Sequence, residues 1–172
     1  MKVVEHFKCR LCGNQPLEYI FSIGNQYIND FVTEDRINKG KIAPLDIVYC
    51  SVCDLSQLKH TAPQELLYSR QYWYRSGVTD TMKRELKDIV DDISSRIKLN
   101  QDDIVLDIGA NDGTMLNYFP KSAIRIGCEP ANNLVDELST RCDRVIHDFW
   151  CESSYLESVA DLEHKTARVI CA

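Results

Sequence analysis

No stretch of this sequence approaches the roughly 20 consecutive apolar residues that a membrane-spanning helix needs. The opening "MKVVEHFKCR" also lacks the apolar core and small-residue cleavage site of a secretory signal, so the expectation is a cytoplasmic chain. Surplus positive charge is missing too: 20 Lys and Arg against 26 Asp and Glu leave a net charge of -6. Nucleic acid and anionic membrane both call for clustered cations, so neither is an expected partner. The dinucleotide fingerprint G-x-G-x-x-G is absent as well. Counting from Gly109, its second and third glycines fall on Asn111 and Thr114, which excludes the NAD reading on spacing.

Cysteine, by contrast, is plentiful. Disulfide frameworks belong to short secreted chains, so in a reducing compartment the 8 cysteines read as thiols or metal ligands. Cys9 and Cys12 form one C-x-x-C, and Cys50 and Cys53 form another. Two residues between cysteines let both thiolates face one ion from a tight knuckle, and two knuckles complete a tetrahedron. Four thiolates close the shell, so the zinc is expected to be structural. The intervening "LEYIFSIGNQYINDFV" has the aromatic and β-branched content of strands. His6 and His60 are expected at the surface, and Cys128, Cys142, Cys151 and Cys171, which lack ligand spacing, as small packing residues. Over residues 1–60, Lys2, Lys8, Arg10, Arg36, Lys39, Lys41 and Lys59 are matched one for one by acidic residues, which is no footprint for nucleic acid.

A helical connector is expected over residues 61–99. Thr61 followed by Pro63 and Gln64 resembles a capped start that "QELLYSRQYW" can continue, and Gly77 ends the run. Asp80 or Thr81 can cap a second helix, in which Met82, Leu86, Ile89, Ile93 and Ile97 recur at helical steps. Between them Tyr72, Trp73, Tyr74 and Arg75 sit together. They read either as an aromatic staple or as a tyrosine hydroxyl and an arginine at the mouth of an active site.

From residue 100 the pattern turns to α/β. Strands are expected over 103–108, 123–130, 143–149 and 167–172, with helices over 114–119, 132–140 and 155–163. That alternation means a Rossmann-like parallel sheet with covered faces and ligands at the carboxyl ends of its strands. The predicted fold is therefore α/β in three parts: a zinc module over 1–60, a helical connector over 61–99, and an incomplete sheet over 100–172.

Three features coincide at those strand ends: D-x-G-x-x-x-G from Asp107 to Gly113, Glu129 closing the second strand, and Asp148 after the third. The trio resembles class I S-adenosylmethionine-dependent methyltransferases. The resemblance implies that the backbone of Gly109, Ala110, Asn111 and Gly113 approaches the methionine part of the cofactor. It also implies that Asp107 lies near the amino end, that Glu129 pairs with the ribose hydroxyls, and that Asp148 lies by the adenine amino group. The chemistry suits each residue type, since glycine permits close backbone approach and a carboxylate can accept from both hydroxyls.

The wider order, C-x-x-C pairs, "YWYRSG", "VLDIGANDGTML", "GCEPANN" and "HDFW", is similar to zinc-binding C-methyltransferases acting on nucleotide-linked deoxysugars. By that resemblance Tyr72 or Tyr74 lines the substrate site as the catalytic candidate, and a nucleotide sugar is the small-molecule partner. A base would remove a proton beside a sugar carbonyl, and the enolate would attack the sulfonium methyl. The family continues past the fourth strand and carries its catalytic histidine there, so the chain is expected to be the N-terminal part of such an enzyme and inactive alone. Two alternatives remain open: a zinc-containing RNA methyltransferase, which would need a basic, aromatic-bearing surface, and a non-catalytic cofactor- or nucleotide-binding module.

Overall fold

The structure is a computed structural model and describes residues 2–28, 33–69 and 72–172. The chain divides into two units, Met1–Leu67 and Tyr68–Ala172. The first contains β1 (Val4–Glu5), β2 (Glu18–Tyr27), β3 (Ile42–Tyr49), β4 (Ser56–Leu58) and β5 (His60–Thr61). Strands β2, β3 and β4 form one antiparallel sheet, and β1 pairs with β5. The aromatic and β-branched run expected to be strand is β2, while the end of that run, residues 29–32, lies outside the described residues. Tyr49 pairs with Ser56, so the β3–β4 turn is the loop that carries Cys50 and Cys53.

Two expectations for the connector change. Residues 65–69 make a single π-helical turn in place of a helix running to Trp73; Arg70 and Gln71 lie outside the described residues, and Tyr72–Arg75 have no regular structure. The reason lies in the backbone groups of Tyr72, Tyr74, Ser76 and Gly77, which are taken by side chains from distant parts of the chain and cannot also close helical turns. The helix that follows, α1 (Asp80–Arg96), is capped by Thr79 rather than by Asp80 or Thr81. Thr79 is extended, and its side chain accepts the Met82 N–H at 3.3 Å, the geometry an N-cap requires.

The second unit continues with β6 (Ile104–Ile108), β7 (Ile124–Cys128), α2 (Asn132–Ser139), β8 (Arg144–Ile146), α3 (Glu152–Ser158) and β9 (Ala167–Cys171). The sheet is wholly parallel in the order β8-β7-β6-β9. Its first strand thus lies inside, with the chain winding outward first to one side and then to the other. That makes the β6/β9 border the switch point of an open α/β sheet. The helix expected over 114–119 is only a 3₁₀ turn, Leu116–Tyr118, because Asn111 and Gly113 just before it have left-handed backbone. Helix α3 begins earlier than Tyr155 and ends well before Glu163.

Period-two alternation along the strands builds two cores. Val105 and Val169 pack with Val90 of α1 and with Leu116, Phe119 and Leu138. On the opposite face Ile104, Leu106 and Ile126 pack with Tyr155 and Val159. With both faces covered, β6 is buried almost end to end. Leu138 is a keystone of the first core: it is fully buried, and a Cβ at Gly113 or Gly127 would stand 2.9 or 2.7 Å from its Cδ1, so a side chain at either position would force it to shift. Leu138→Ala is expected to destabilise the protein by about 2–5 kcal/mol, the range for truncating a buried leucine, as read from urea unfolding of the second unit.

Candidate metal centre and cofactor site

The two cysteine pairs adopt the same local geometry. Each is followed by a residue with left-handed backbone, Gly13 at φ 74° and Asp54 at φ 59°. In each, the first cysteine's N–H donates to the carbonyl five residues on, Cys9 to Asn14 at 2.9 Å and Cys50 to Leu55 at 3.0 Å. The turns face one another, with Cys9 Sγ 3.5 Å from Cys53 Sγ and Cys12 Sγ 3.6 Å from Cys50 Sγ. All four sulfurs lie within 4.8 Å of one another. A tetrahedral zinc with Zn–S of about 2.3 Å requires sulfurs roughly 3.8 Å apart, so the set fits the ion. The N–H groups of Cys12 and Leu11 hold the Cys9 thiol down at about 6. Cys53 goes the other way: despite the Leu55 N–H, burial and the neighbouring sulfurs push it up to about 12. Four crowded thiols cannot all ionise unaided, and a dication removes that conflict. These cysteines form a zinc-binding module.

The histidines near the module are less exposed than expected. His60 packs against Asp46, with Nδ1 3.6 Å from the carboxylate, and His6 bonds Thr61 Oγ1 at 2.8 Å. Of the remaining cysteines Cys128 is buried, Cys142 and Cys171 are half-buried, and Cys151 is exposed, so packing describes three of the four.

Parallel register places the second constellation. Asp107 pairs with Gly127 and Ile108 with Cys128, so β6 and β7 end level. Gly109 and Ala110 then both donate to the Cys128 carbonyl, at 2.8 and 3.0 Å, which folds the glycine turn over the end of β7. At φ 78°, with nothing within 4 Å of where a Cβ would stand, Gly109 leaves its outer face open. Gly113 is also left-handed, but its α-carbon is turned against Leu138 and Arg141.

Two buried carboxylates stand at these ends. Glu129 is 5% exposed; its Oε1 accepts the Ala131 N–H at 2.8 Å and its Oε2 the Asn111 N–H at 2.9 Å. Burial raises its pKa, while those two N–H groups and His147 oppose the rise. Asp107 is 4% exposed, and among the described residues no group donates to its carboxylate. Burial, and then the charge of Glu129, push it up to about 6. Asp148 is exposed at the end of β8, and its Oδ1 accepts the Phe149 N–H at 2.7 Å. His147 contacts Asn132 Oδ1 at 3.0 Å.

The aromatic segment is fastened to the same region. Tyr72 exchanges two hydrogen bonds with the Asn133 side chain, at 2.9 and 3.0 Å. Arg75 donates to Glu137 Oε2 at 2.5 Å and to the Asn133 carbonyl at 2.9 Å. Trp73 and Tyr74 are about half exposed. The sequence left Arg75 either in an aromatic staple or at an active-site mouth; the structure turns its guanidinium onto α2. Asp112, Asn133, Glu137 and Arg141 were not singled out in the sequence: the i,i+4 spacing of Glu137 and Arg141 was there to be read, whereas their bonds to Arg75 and Asp112, and those of Asn133 to Tyr72, join residues distant in the chain.

Two outcomes follow from this geometry. Elemental analysis of the purified protein is expected to give one zinc per chain; Cys12→Ser, or treatment with a strong chelator, should abolish it and render the first unit protease-sensitive. Asp107 holds its proton more tightly in the folded state, near 6, than its ordinary 3.8. Its contribution to stability is therefore lost as pH rises from about 4 through about 6, an effect on the order of 3 kcal/mol at most. Asp107→Asn should remove that part of the decline, seen by comparing urea unfolding at pH 4.5 and 7.5 in both proteins.

Residues 9–68 match a family model described as "Putative zinc binding domain" (Methyltransf_13). The chain is also similar to the C-methyltransferase NovU of Streptomyces niveus, 29% identical over 137 residues that make up 78% of this chain and 32% of that protein. It thus spans about a third of the length of this curated relative. Among the described residues, no helix is long and apolar enough to cross a membrane. Residues 9–68 thus match a zinc-binding domain in sequence as well as in cysteine geometry, and the chain is similar in sequence to a C-methyltransferase.

Proposed function

We propose that the second unit binds S-adenosylmethionine at the carboxyl ends of β6, β7 and β8, and that the whole protein methylates carbon in a nucleotide-linked keto-sugar. The observation that carries the cofactor reading is the Asp107 carboxylate, 4% exposed and given no hydrogen bond by the described residues, two positions before the open Gly109. A buried carboxylate in that state calls for a cationic donor, and the cofactor's α-ammonium is one. Glu129 has two oxygens with about four acceptor sites, of which two are taken by backbone N–H groups, leaving room for both ribose hydroxyls. Asp148 has an oxygen not engaged by Phe149, suited to an amino group.

When bound, the cofactor supplies an electrophilic methyl group on a sulfonium. The work of the chain's own residues is to orient it: Asp107 and Glu129 fix its two ends, and the turn from Gly109 lets backbone approach without a side chain between. The relative's name supports carbon as the acceptor, and the sequence resemblance supports the keto-sugar. Tyr72 and Tyr74 are the candidate substrate-side hydroxyls. In this reading the zinc module is structural.

Calorimetric titration with S-adenosylmethionine tests the cofactor site. The protein is expected to bind it, and Glu129→Ala should weaken binding by about 1.5–3 kcal/mol, the range for hydrogen bonds to a charged group. Wild-type protein that does not bind, or a Glu129→Ala variant of undiminished affinity, would overturn the assignment.

A further inference from the structure

Residues 72–77 have no regular secondary structure, yet their backbone is held at five points. The N–H and carbonyl of Tyr72 go to Asn133, and the carbonyl of Tyr74 accepts from Asn111 Nδ2 at 3.0 Å. The Ser76 N–H donates to Asn111 Oδ1 at 2.9 Å, and the Gly77 N–H to Asp112 Oδ2 at 2.8 Å. The fit at Gly77 is close, since a Cβ there would stand 2.6 Å from both Asp112 Oδ2 and Thr114 Oγ1. One further side chain secures the segment. Arg75 grips α2 through Glu137, whose other oxygen is held by Arg141 at 2.7 Å, and Arg141 in turn donates to the Asp112 carbonyl at 2.8 Å.

Asn111 joins this segment to the candidate cofactor site. Its backbone is left-handed, at φ 54°, a conformation asparagine tolerates better than most residues. Its N–H is thereby given to Glu129, while both ends of its side-chain amide are given to the segment. One buried residue thus serves the cofactor carboxylate with its backbone and the aromatic segment with its side chain.

We propose that residues 72–77 are a strap whose seating on the glycine loop is coupled through Asn111 to occupation of the cofactor site, with Arg75 as the positioning residue that fastens it to α2. The inference rests on the cofactor reading above. A ligand loading Glu129 acts on the carboxylate that fixes the Asn111 backbone, and through it on the groups that hold Tyr74 and Ser76. The strap then presents Trp73 and Tyr74 from a fixed backbone once the loop is filled. Coupling in binding is reciprocal, so a strap tightened by cofactor must itself tighten the cofactor by the same factor.

S-adenosylhomocysteine is the probe. Amide hydrogen exchange of Ser76 and Gly77 should slow several-fold when it binds the wild-type protein. Arg75→Ala, which removes no group from the cofactor site, should weaken its binding by at least ~5-fold, the lower end of usual coupling factors. Arg75→Lys should recover part of that loss, since an ammonium can meet Glu137 but lacks the planar fork that also reaches the Asn133 carbonyl. Should Arg75→Ala not fold, Asn111→Gly serves instead: glycine accepts φ 54° and keeps the N–H for Glu129 while deleting the amide that holds the strap. In that variant the slowing at Ser76 should vanish. Probe binding with unchanged exchange in the wild type, or full affinity in Arg75→Ala, overturns the coupling and leaves the cofactor site standing. No probe binding to the wild type overturns both.

Discussion

The level ends of β6 and β7 govern the second unit. With Ile108 opposite Cys128, the first residues beyond both strands emerge together, and the glycine turn has one carbonyl, that of Cys128, on which to settle. Glu129 then lies directly beside that turn. Its carboxylate has nowhere to go but inward, where water cannot satisfy it, and the Asn111 and Ala131 N–H groups take that part. The left-handed backbone of Asn111 is what aims its N–H at Glu129. Asp112, Gly113 and the anchoring of residues 72–77 follow from the path the chain then takes. A slip of register between these strands would separate these groups and turn core side chains to the wrong face.

The first unit is held by a different balance. Among its described residues, the buried apolar side chains are Val48 and two of the zinc-facing cysteines, Cys9 and Cys50, while β2 is exposed along its whole length. A core so small contributes little to folding, and small domains without one depend on cross-links or metals. The two knuckles provide the cross-link. They tie the turn before β2 to the β3–β4 turn, two points about 40 residues apart in the chain, and metal binding there is folding free energy. Four sulfurs fill the tetrahedral shell of one ion and so join the two turns at a single point.

How far this was legible in the sequence depended on whether a signal was local. The C-x-x-C spacing, the alternating α/β pattern and the D-x-G turn are short-range, and they correctly pointed to the cysteine cluster, the parallel sheet and the acidic strand ends. Thr79 was missed as a cap because Asp80 and Thr81, equally good on composition, stand next to it; backbone conformation alone separates the three. The helix expected through "QELLYSRQYW" failed for a non-local reason, since the partners of Tyr72 and Ser76 come from Asn133 and Asn111. Arg75 was noticed for its company of aromatics, but its direction toward Glu137 was set by a contact 62 residues away. Residue spacing cannot carry such information.

Two carboxylates of the same charge meet opposite treatment at these strand ends, and the contrast bears on what can bind there. Glu129 is supplied with two N–H donors and serves as part of the frame. Asp107, buried as deeply, is given none and is pushed toward protonation by its surroundings. A site that bound a pyrophosphate would have its N–H groups aimed outward at the anion. Here the Gly109 and Ala110 N–H groups are spent on the Cys128 carbonyl, and the Asn111 N–H on Glu129. An anionic ligand would face two acidic groups with those donors already occupied, whereas a ligand bringing a cation and a diol would relieve Asp107 and use the free acceptor sites of Glu129. The second glycine of the dinucleotide fingerprint falls on Asn111, and there the residue gives its N–H to Glu129 and its side-chain amide to Ser76 and Tyr74, so none of these groups faces outward toward a phosphate.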